Sequence, residues 1–171
     1  DSQIGRLLDT LRAHGVYDDT LFVVVADHGQ GLMDHGWHAH RLLYQEQIRV
    51  PLIVRVPGVR PVPAVPALVR TVDIYPTVLD YLGIALPGPV SGRSLRPLIE
   101  GTSDQPRTAF ADQINGYDWN AGDVRKRPLD QFLYAAMDRD WKLIYRPLAF
   151  DESELYHLSE DPREEHDLFA Q

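Results

Sequence analysis

The chain is 171 residues long, 44% hydrophobic and 25% charged, the composition of a folded domain large enough to bury a core. Its formal net charge of -8 argues against general attraction to nucleic acid or to an anionic membrane surface. The absence of cysteine excludes a disulfide framework and a thiolate metal site but leaves the compartment open, and no apolar stretch approaches the ~20 residues of a membrane span.

Helical periodicity is under way from the first residues: Ile4, Leu7, Leu8 and Leu11 recur in QIGRLLDTLRAHG, with Ser2 as a cap and Gly15 as the stop. A start at Asp1, inside an element, predicts a chain that begins part-way through a larger architecture. Thr20 to Ala26, TLFVVVA, is the most apolar run and reads as a strand covered on both faces, the kind found in parallel sheets flanked by helices. A short helix through RLLYQEQ precedes a second such strand, Val50 to Val56, stopped by Pro57-Gly58. RPVPAVPALV is too rich in proline for a central strand or helix interior and reads as an extended surface connection.

A helix is predicted in TVDIYPTVLDYLG, where Val72, Tyr75, Val78, Leu79 and Leu82 share a face, Pro76 fits the first turn and Gly83 is the stop. SLRPLIEG is a short helix, and TAFADQ, with Ala109 to Asp112, a weaker third strand of the first sheet. Ile114 to Leu129 is polar and Gly-containing, a long loop of the kind that lines sites. QFLYAAM, Asp138-Arg139-Asp140 and WKLIYR form a predicted hairpin, ELYHL a further strand, and SEDPREEHDLF a turn leading into a charged C-terminal segment. Two or three buried strands cannot cover helices on both sides, so the sheet is expected to need strands from outside this sequence.

Four of the seven histidines, His28, His35, His38 and His40, fall in the loop DHGQGLMDHGWHAH that follows the first apolar strand. Ligands of open α/β sheets bind beyond the carboxyl ends of strands, where Asp27 and His28 emerge. One carboxylate and several imidazoles suit Zn or Mn, and an Asp-His pair is compatible with Ca or Mg when other oxygens complete the shell. The spacing does not match HExxH, so a loop site is implied. His38 is expected to pack or face solvent, Trp141 and Tyr145 to be core, Trp119 to face substrate, and the carboxylates from Glu160 to Asp167 to be a solvated surface.

TLFVVVADHGQGLMDHGWHAHRLLYQEQIRVPLIVRVPG resembles the sulfatase branch of the alkaline phosphatase superfamily, whose members carry a strand, a DHG or DNG turn, a Gly-rich loop with HG, and RVPLIV with PG. The resemblance continues through TVDIYPTVLDYLGI, GRSLRPLIEG and WKLIY to ELYHLSEDPREEHDL. It implies an α/β fold, the C-terminal portion of an alkaline-phosphatase-like α/β/α sandwich with a small antiparallel sheet and terminal helix. Residues 1–106 would be the C-terminal part of the catalytic domain and residues 107–171 the antiparallel subdomain, with the N-terminal part of the same domain as partner.

By the same resemblance, Asp27 and His28 match the pair that ligates the active-site divalent cation, usually Ca, with Mg, Mn or Zn as alternatives. His40 falls where many sulfatases have a lysine that contacts sulfate and nucleophile, and His35 matches the HG histidine, a supporting or substrate-side catalytic position. Cleaving a sulfate ester calls for positive charge on the nonbridging oxygens, an activated nucleophile and a proton for the leaving alkoxide. A protonated His40 could bind an oxyanion or act as the acid, with activity more pH-dependent than with lysine. Sulfatases mature a Cys or Ser of an upstream CxPSR-like motif to formylglycine and add an Asp-Asp pair to the metal shell. No such motif is in this sequence, so the chain by itself is expected to be inactive as a sulfuric ester hydrolase. A histidine twelve residues after the metal histidine is similar to phosphoethanolamine transferases, making phosphate-ester chemistry the alternative, and a non-catalytic binding module a third reading.

Overall fold

A computed structural model describes residues 1–102, 104–115 and 126–169, so Trp119 and most of the loop around it lie outside the described residues. The described chain is mixed α/β and divides into two units.

The first unit holds Asp1–Val25, Pro51–Val65 and Thr71–Asp104. Helix α1 spans Ser2–Ala13, with Asp1 rather than Ser2 at the cap position, and Gly15 at φ +69° ends the segment. Strand β1, Phe22–Val25, pairs antiparallel with β2, Leu52–Arg55, placing Phe22 opposite Arg55 and Val25 opposite Leu52. Both runs were expected to be strands of a parallel sheet, and here they pair antiparallel with each other. Parallel neighbours need a crossover, usually through a helix, and between β1 and β2 lie only a 3-10 turn, Asp34–Gly36, and the single-turn α2, Gln45–Ile48. Nor are the strands covered on both faces here, since Val24, Val25 and Ile53 are exposed. The Arg55 guanidinium donates to the carbonyls of Tyr17 and Thr20, each at 3.0 Å, and so ties β2 to the turn before β1.

The predicted helix near residue 75 is a 3-10 turn, Thr71–Asp73, running into α3, Ile74–Tyr81, with Pro76 in its first turn. Its buried side is polar rather than the apolar stripe: Asp73, Pro76 and Thr77 are buried, whereas Val72, Tyr75 and Leu82 are exposed. Residues 92–95 dock on that side. Asp73 Oδ1 accepts from Arg93 N at 2.9 Å, Thr77 Oγ1 from Leu95 N at 2.8 Å, and Asp80 Oδ2 from Ser94 Oγ at 2.6 Å. Gly92 permits this approach, because a Cβ there would lie 1.8 Å from the Val72 carbonyl oxygen. Helix α4 is Arg96–Ile99.

The second unit holds Ala26–Val50, Pro66–Arg70 and Gln105–Gln171. Its sheet is antiparallel in the order β3 (Ala109–Ile114), β4 (Phe132–Met137), β5 (Trp141–Tyr145), β6 (Glu154–His157). The predicted hairpin is present, with Met137 opposite Lys142 and Asp138 Oδ1 accepting from the amides of Asp140 and Trp141 at 2.9 and 2.7 Å. The weaker third strand belongs to this sheet, not to the β1–β2 ribbon.

Period-2 alternation decides which residues are inside. Leu133, Ala135, Met137, Ile144 and Tyr156 form the core with Trp37, Leu42, Leu43 and Tyr44 of the histidine-loop segment. Because Lys142 and Ile144 face inward, Trp141 and Tyr145 face outward, 44% and 36% exposed, correcting the expectation that they are core. After β6 the described residues form turns, not the expected terminal helix. Asp161 caps the amides of Glu165 and His166, and Asp167 accepts from Leu155 N and Phe169 N, folding the segment back along β6. Glu164, counted among the solvated carboxylates by sequence, is buried.

Candidate metal and ester site

The loop after β1 in the chain is held by its own backbone. Gly29 N donates to Gln47 O at 2.7 Å, Gln30 N to Glu46 O at 3.0 Å, Gly31 N to Ala39 O at 2.9 Å and Met33 N to Trp37 O at 2.9 Å. Two glycines make these approaches sterically feasible: a Cβ would lie 2.0 Å from Glu46 O at position 29 and 2.3 Å from Trp37 O at position 31. Leu32, Met33 and His35 all take positive φ, at 47°, 81° and 50°, a strain that side-chain-bearing residues keep only where the surroundings over-determine them. Further along, Trp37 Nε1 donates to His40 O at 2.8 Å, Asn115 Nδ2 to Arg41 O at 2.8 Å, and Leu42 N to the buried Gln47 Oε1 at 2.7 Å.

Asp27, His28 and His40 are brought together. The Asp27 side chain is 89% exposed, and its Oδ1 accepts from His28 N at 2.9 Å. That backbone donor, with a further contribution from the His28 ring, holds the carboxyl below its ordinary range. His28 Nδ1 lies 2.7 Å from the Gly29 carbonyl, which can only accept, so Nδ1 carries the proton and Nε2 keeps its lone pair. That lone-pair nitrogen is 3.8 Å from Asp27 Oδ2. The His40 ring stacks on His28 with centroids 4.0 Å apart and planes at 24°. Burial first, then His28 and Arg41, lower the His40 pKa, while Asp27 opposes them. His40 is therefore biased toward neutral imidazole, away from the standing cation that a lysine would provide.

The donor set fits a divalent cation. Metal–ligand bonds of roughly 2.0–2.6 Å bring a carboxylate oxygen and an imidazole nitrogen at this separation onto one ion, and a histidine whose other nitrogen donates to a carbonyl is the usual ligating form. Among the described residues, no group of three or more His, Asp or Glu side chains converges as a shell.

His35 is placed elsewhere. Its ring stacks on Tyr44 at 3.7 Å with planes 1° apart, Nδ1 lies 3.1 Å from Glu46 Oε1, and Nε2 lies 3.0 Å from the Glu164 carbonyl. Both partners are acceptors, and they engage the ring within the unit's interior rather than with Asp27, His28 or His40. The His38 ring tilts over Trp37 at 5.5 Å, and its carbonyl accepts from Gln30 Nε2 at 2.7 Å.

Two buried charge groups support the loop and were not found from sequence. Lys142 Nζ lies 2.5 Å from Glu164 Oε1, and both side chains are 0% exposed. Burial pushes the Glu164 carboxyl up and the Lys142 ammonium down, and their pairing opposes both shifts. Arg146 lies between Asp130 and Glu154, each at 2.9 Å, and the hydroxyls of Tyr44 and Tyr156 donate to Glu154 at 2.9 and 3.0 Å. Burial raises both phenols, keeping them protonated as donors. The alternation of WKLIY could have placed Lys142 inward beside Ile144; nothing in the local pattern marked Glu164.

Residues 33–171 match the family model described as N-sulphoglucosamine sulphohydrolase, C-terminal. Among curated proteins, the chain is 35% identical over 172 residues to an N-acetylglucosamine-6-O-sulfatase of Bacteroides thetaiotaomicron, covering 99% of this chain and 30% of that protein. It is 31% identical over 165 residues to arylsulfatase K of Rattus norvegicus, covering 96% and 29%. A protein solved in complex with its substrate D-glucosamine-2-N,6-O-disulfate superposes with a TM-score of 0.78 at 32% identity, covering 99% of this chain and 34% of that one. The phosphonate monoester hydrolase of Silicibacter pomeroyi superposes with a TM-score of 0.77 at 31% identity, covering 92% and 32%. The chain thus spans about 30% of the length of the curated relatives it matches. On the strength of the family match and these relatives, the chain belongs to the N-sulphoglucosamine sulphohydrolase C-terminal family, within the sulfatases of the alkaline phosphatase superfamily.

Proposed function

We propose that the protein containing this chain is a metal-dependent sulfatase that hydrolyses sulfate esters, with sulfated glucosamine as the substrate class. The observation that carries the reading is the exposed Asp27 carboxylate beside the free Nε2 lone pair of His28, within the sequence pattern of the family. The substrate class is supported by the two relatives whose names specify glucosamine sulfates.

Asp27 and His28 would hold the cation, Ca by family resemblance, with Mg, Mn or Zn compatible with the same donors. Such an ion supplies positive charge for the nonbridging oxygens of the ester. The Gly29 carbonyl keeps His28 in the tautomer that leaves Nε2 available. His40, stacked on His28 and biased toward the neutral form, is suited to exchanging a proton with a substrate or leaving-group oxygen. His35 acts by positioning, bracing the loop on Tyr44, Glu46 and Glu164. A formylglycine from a CxPSR-like motif would be the nucleophile, so the bond-forming step is assigned to no residue of this sequence. In the same reading, residues 1–106 are the C-terminal part of the catalytic domain and residues 107–171 a small β subdomain.

Phosphate or phosphonate esters are the second reading, supported by the likeness to a phosphonate monoester hydrolase and by histidine at position 40. Turnover of glucosamine 6-sulfate and aryl sulfate against aryl phosphate, by the intact protein, separates the two. The expected result is faster sulfate turnover, reduced at least about a hundred-fold in Asp27→Asn. Faster phosphate turnover would overturn the sulfatase reading, and full activity in Asp27→Asn would overturn the metal site.

A further inference from the structure

Glu164 directs two groups onto the histidine-loop segment and a third onto β5. Its Oε2 accepts from Gln45 N at 2.6 Å, its carbonyl accepts from His35 Nε2 at 3.0 Å, and its Oε1 meets Lys142 Nζ at 2.5 Å. Gln45 opens α2, and the carbonyls of the next two residues, Glu46 and Gln47, receive the amides of Gln30 and Gly29. Those amides directly follow His28. A continuous path of covalent links and short hydrogen bonds therefore runs from Glu164 through α2 to the residues that present Asp27 and His28.

We propose that Glu164, paired with Lys142, is the positioning residue of the Asp27–His28 loop; the consequence for cation binding rests on the site reading given above. A carboxylate accepts at both oxygens, whereas a protonated acid would give up one as a donor. Lys142 Nζ engages Oε1, which leaves Oε2 to accept from Gln45 N. A buried ion pair contributes little net stability compared with well-packed apolar side chains of similar size, so the effect of this one lies in what the second oxygen holds. Glu164 also sits at φ +58°, a conformation costly for a residue with a side chain, and ties at both its carbonyl and its carboxylate maintain it.

Two double variants separate positioning from stability in the intact protein. Lys142→Met with Glu164→Gln removes both charges but leaves an amide oxygen to accept from Gln45 N, whereas Lys142→Met with Glu164→Leu leaves none. Hydrogen exchange at Gly29 and Gln30 is compared with that at Leu133 and Ile144 in the sheet, and Mn²⁺ alone is titrated as the binding probe. In the Leu variant, loop exchange is expected to rise at least about ten-fold with sheet exchange unchanged, and Mn²⁺ affinity to fall about ten-fold, as for loss of a group that orients a ligand. The Gln variant is expected to restore both.

Unchanged loop exchange in the Leu variant, or equal acceleration of loop and sheet in both variants, overturns the proposal. Should either double variant fail to fold, Gln45→Pro removes the same donor at a first helical position where proline fits, and loop exchange at the wild-type rate then overturns it. If wild-type protein does not bind Mn²⁺, or Asp27→Asn binds it equally well, the cation reading fails, and the exchange comparison still decides the positioning role.

Discussion

Gly29→Ala is the most direct probe of the loop architecture. The added Cβ would lie 2.0 Å from the Glu46 carbonyl oxygen, and ordinary contact begins at 3.4 Å, so loop and α2 must separate by ~1.4 Å. That movement stretches the 2.7 Å bond from Gly29 N to Gln47 O and the 3.0 Å bond from Gln30 N to Glu46 O beyond the ~3.2 Å hydrogen-bond range. Two lost bonds at about 1 kcal/mol each and about 1–3 kcal/mol of packing strain give a destabilisation of roughly 3–5 kcal/mol. Gly5→Ala is the control: a Cβ there meets nothing within 4 Å, and removing a glycine from the interior of α1 is expected to stabilise by about 0.5–1 kcal/mol. Urea unfolding of the intact protein measures both, with Mn²⁺ titration reporting on the proposed Asp27–His28 site. A Gly29→Ala protein within about 0.5 kcal/mol of wild type, with unaltered Mn²⁺ affinity, would refute the reasoning that the glycine sets how the ligand loop is held.

Arg146→Met leaves the buried Asp130 and the partly buried Glu154 without their shared partner and is expected to cost about 3–5 kcal/mol in urea unfolding; a loss below about 1 kcal/mol would contradict the network. Trp37→Phe removes the indole donor to the His40 carbonyl and is expected to cost about 1–3 kcal/mol and speed amide exchange at His40 and Arg41, both unchanged if that bond does not hold the segment. Asp138 has a carboxyl held below its ordinary 3.8 by the amides of Trp141 and Asp140. A depressed folded pKa means a contribution fully present above the unfolded value and lost as pH falls through the folded one. NMR titration of the Asp138 carboxyl should accordingly place its midpoint below 3.8, with the Trp141 amide shifting in the same window, and a midpoint at or above 3.8 would remove the turn from the acid-sensitive features.

The β5 strand and its turn were legible because every determinant is local: alternating residues in WKLIY, a polar Asp138-Arg139-Asp140 link and a neighbouring run of matching length. Asp27 and His28 were legible for a similar reason, being adjacent in the chain at the end of an apolar run within a recognisable pattern. Chain direction and facing were not. That β2 runs antiparallel to β1, and that Trp141 turns outward while Lys142 turns inward, depend on which surface each strand meets, and period alone does not choose between two faces.

The sequence by itself therefore determined the family pattern, the placement of Asp27 and His28 at the end of an apolar run and most element positions, since these depend on near neighbours. Tertiary structure alone decided that His40 lies on His28 while His35 turns toward Glu164, 129 residues away, and that Glu164 is buried rather than solvated. Those outcomes depend on hydrogen bonds and desolvation between segments far apart in the chain, and no local periodicity encodes which partner a buried carboxylate or imidazole will meet.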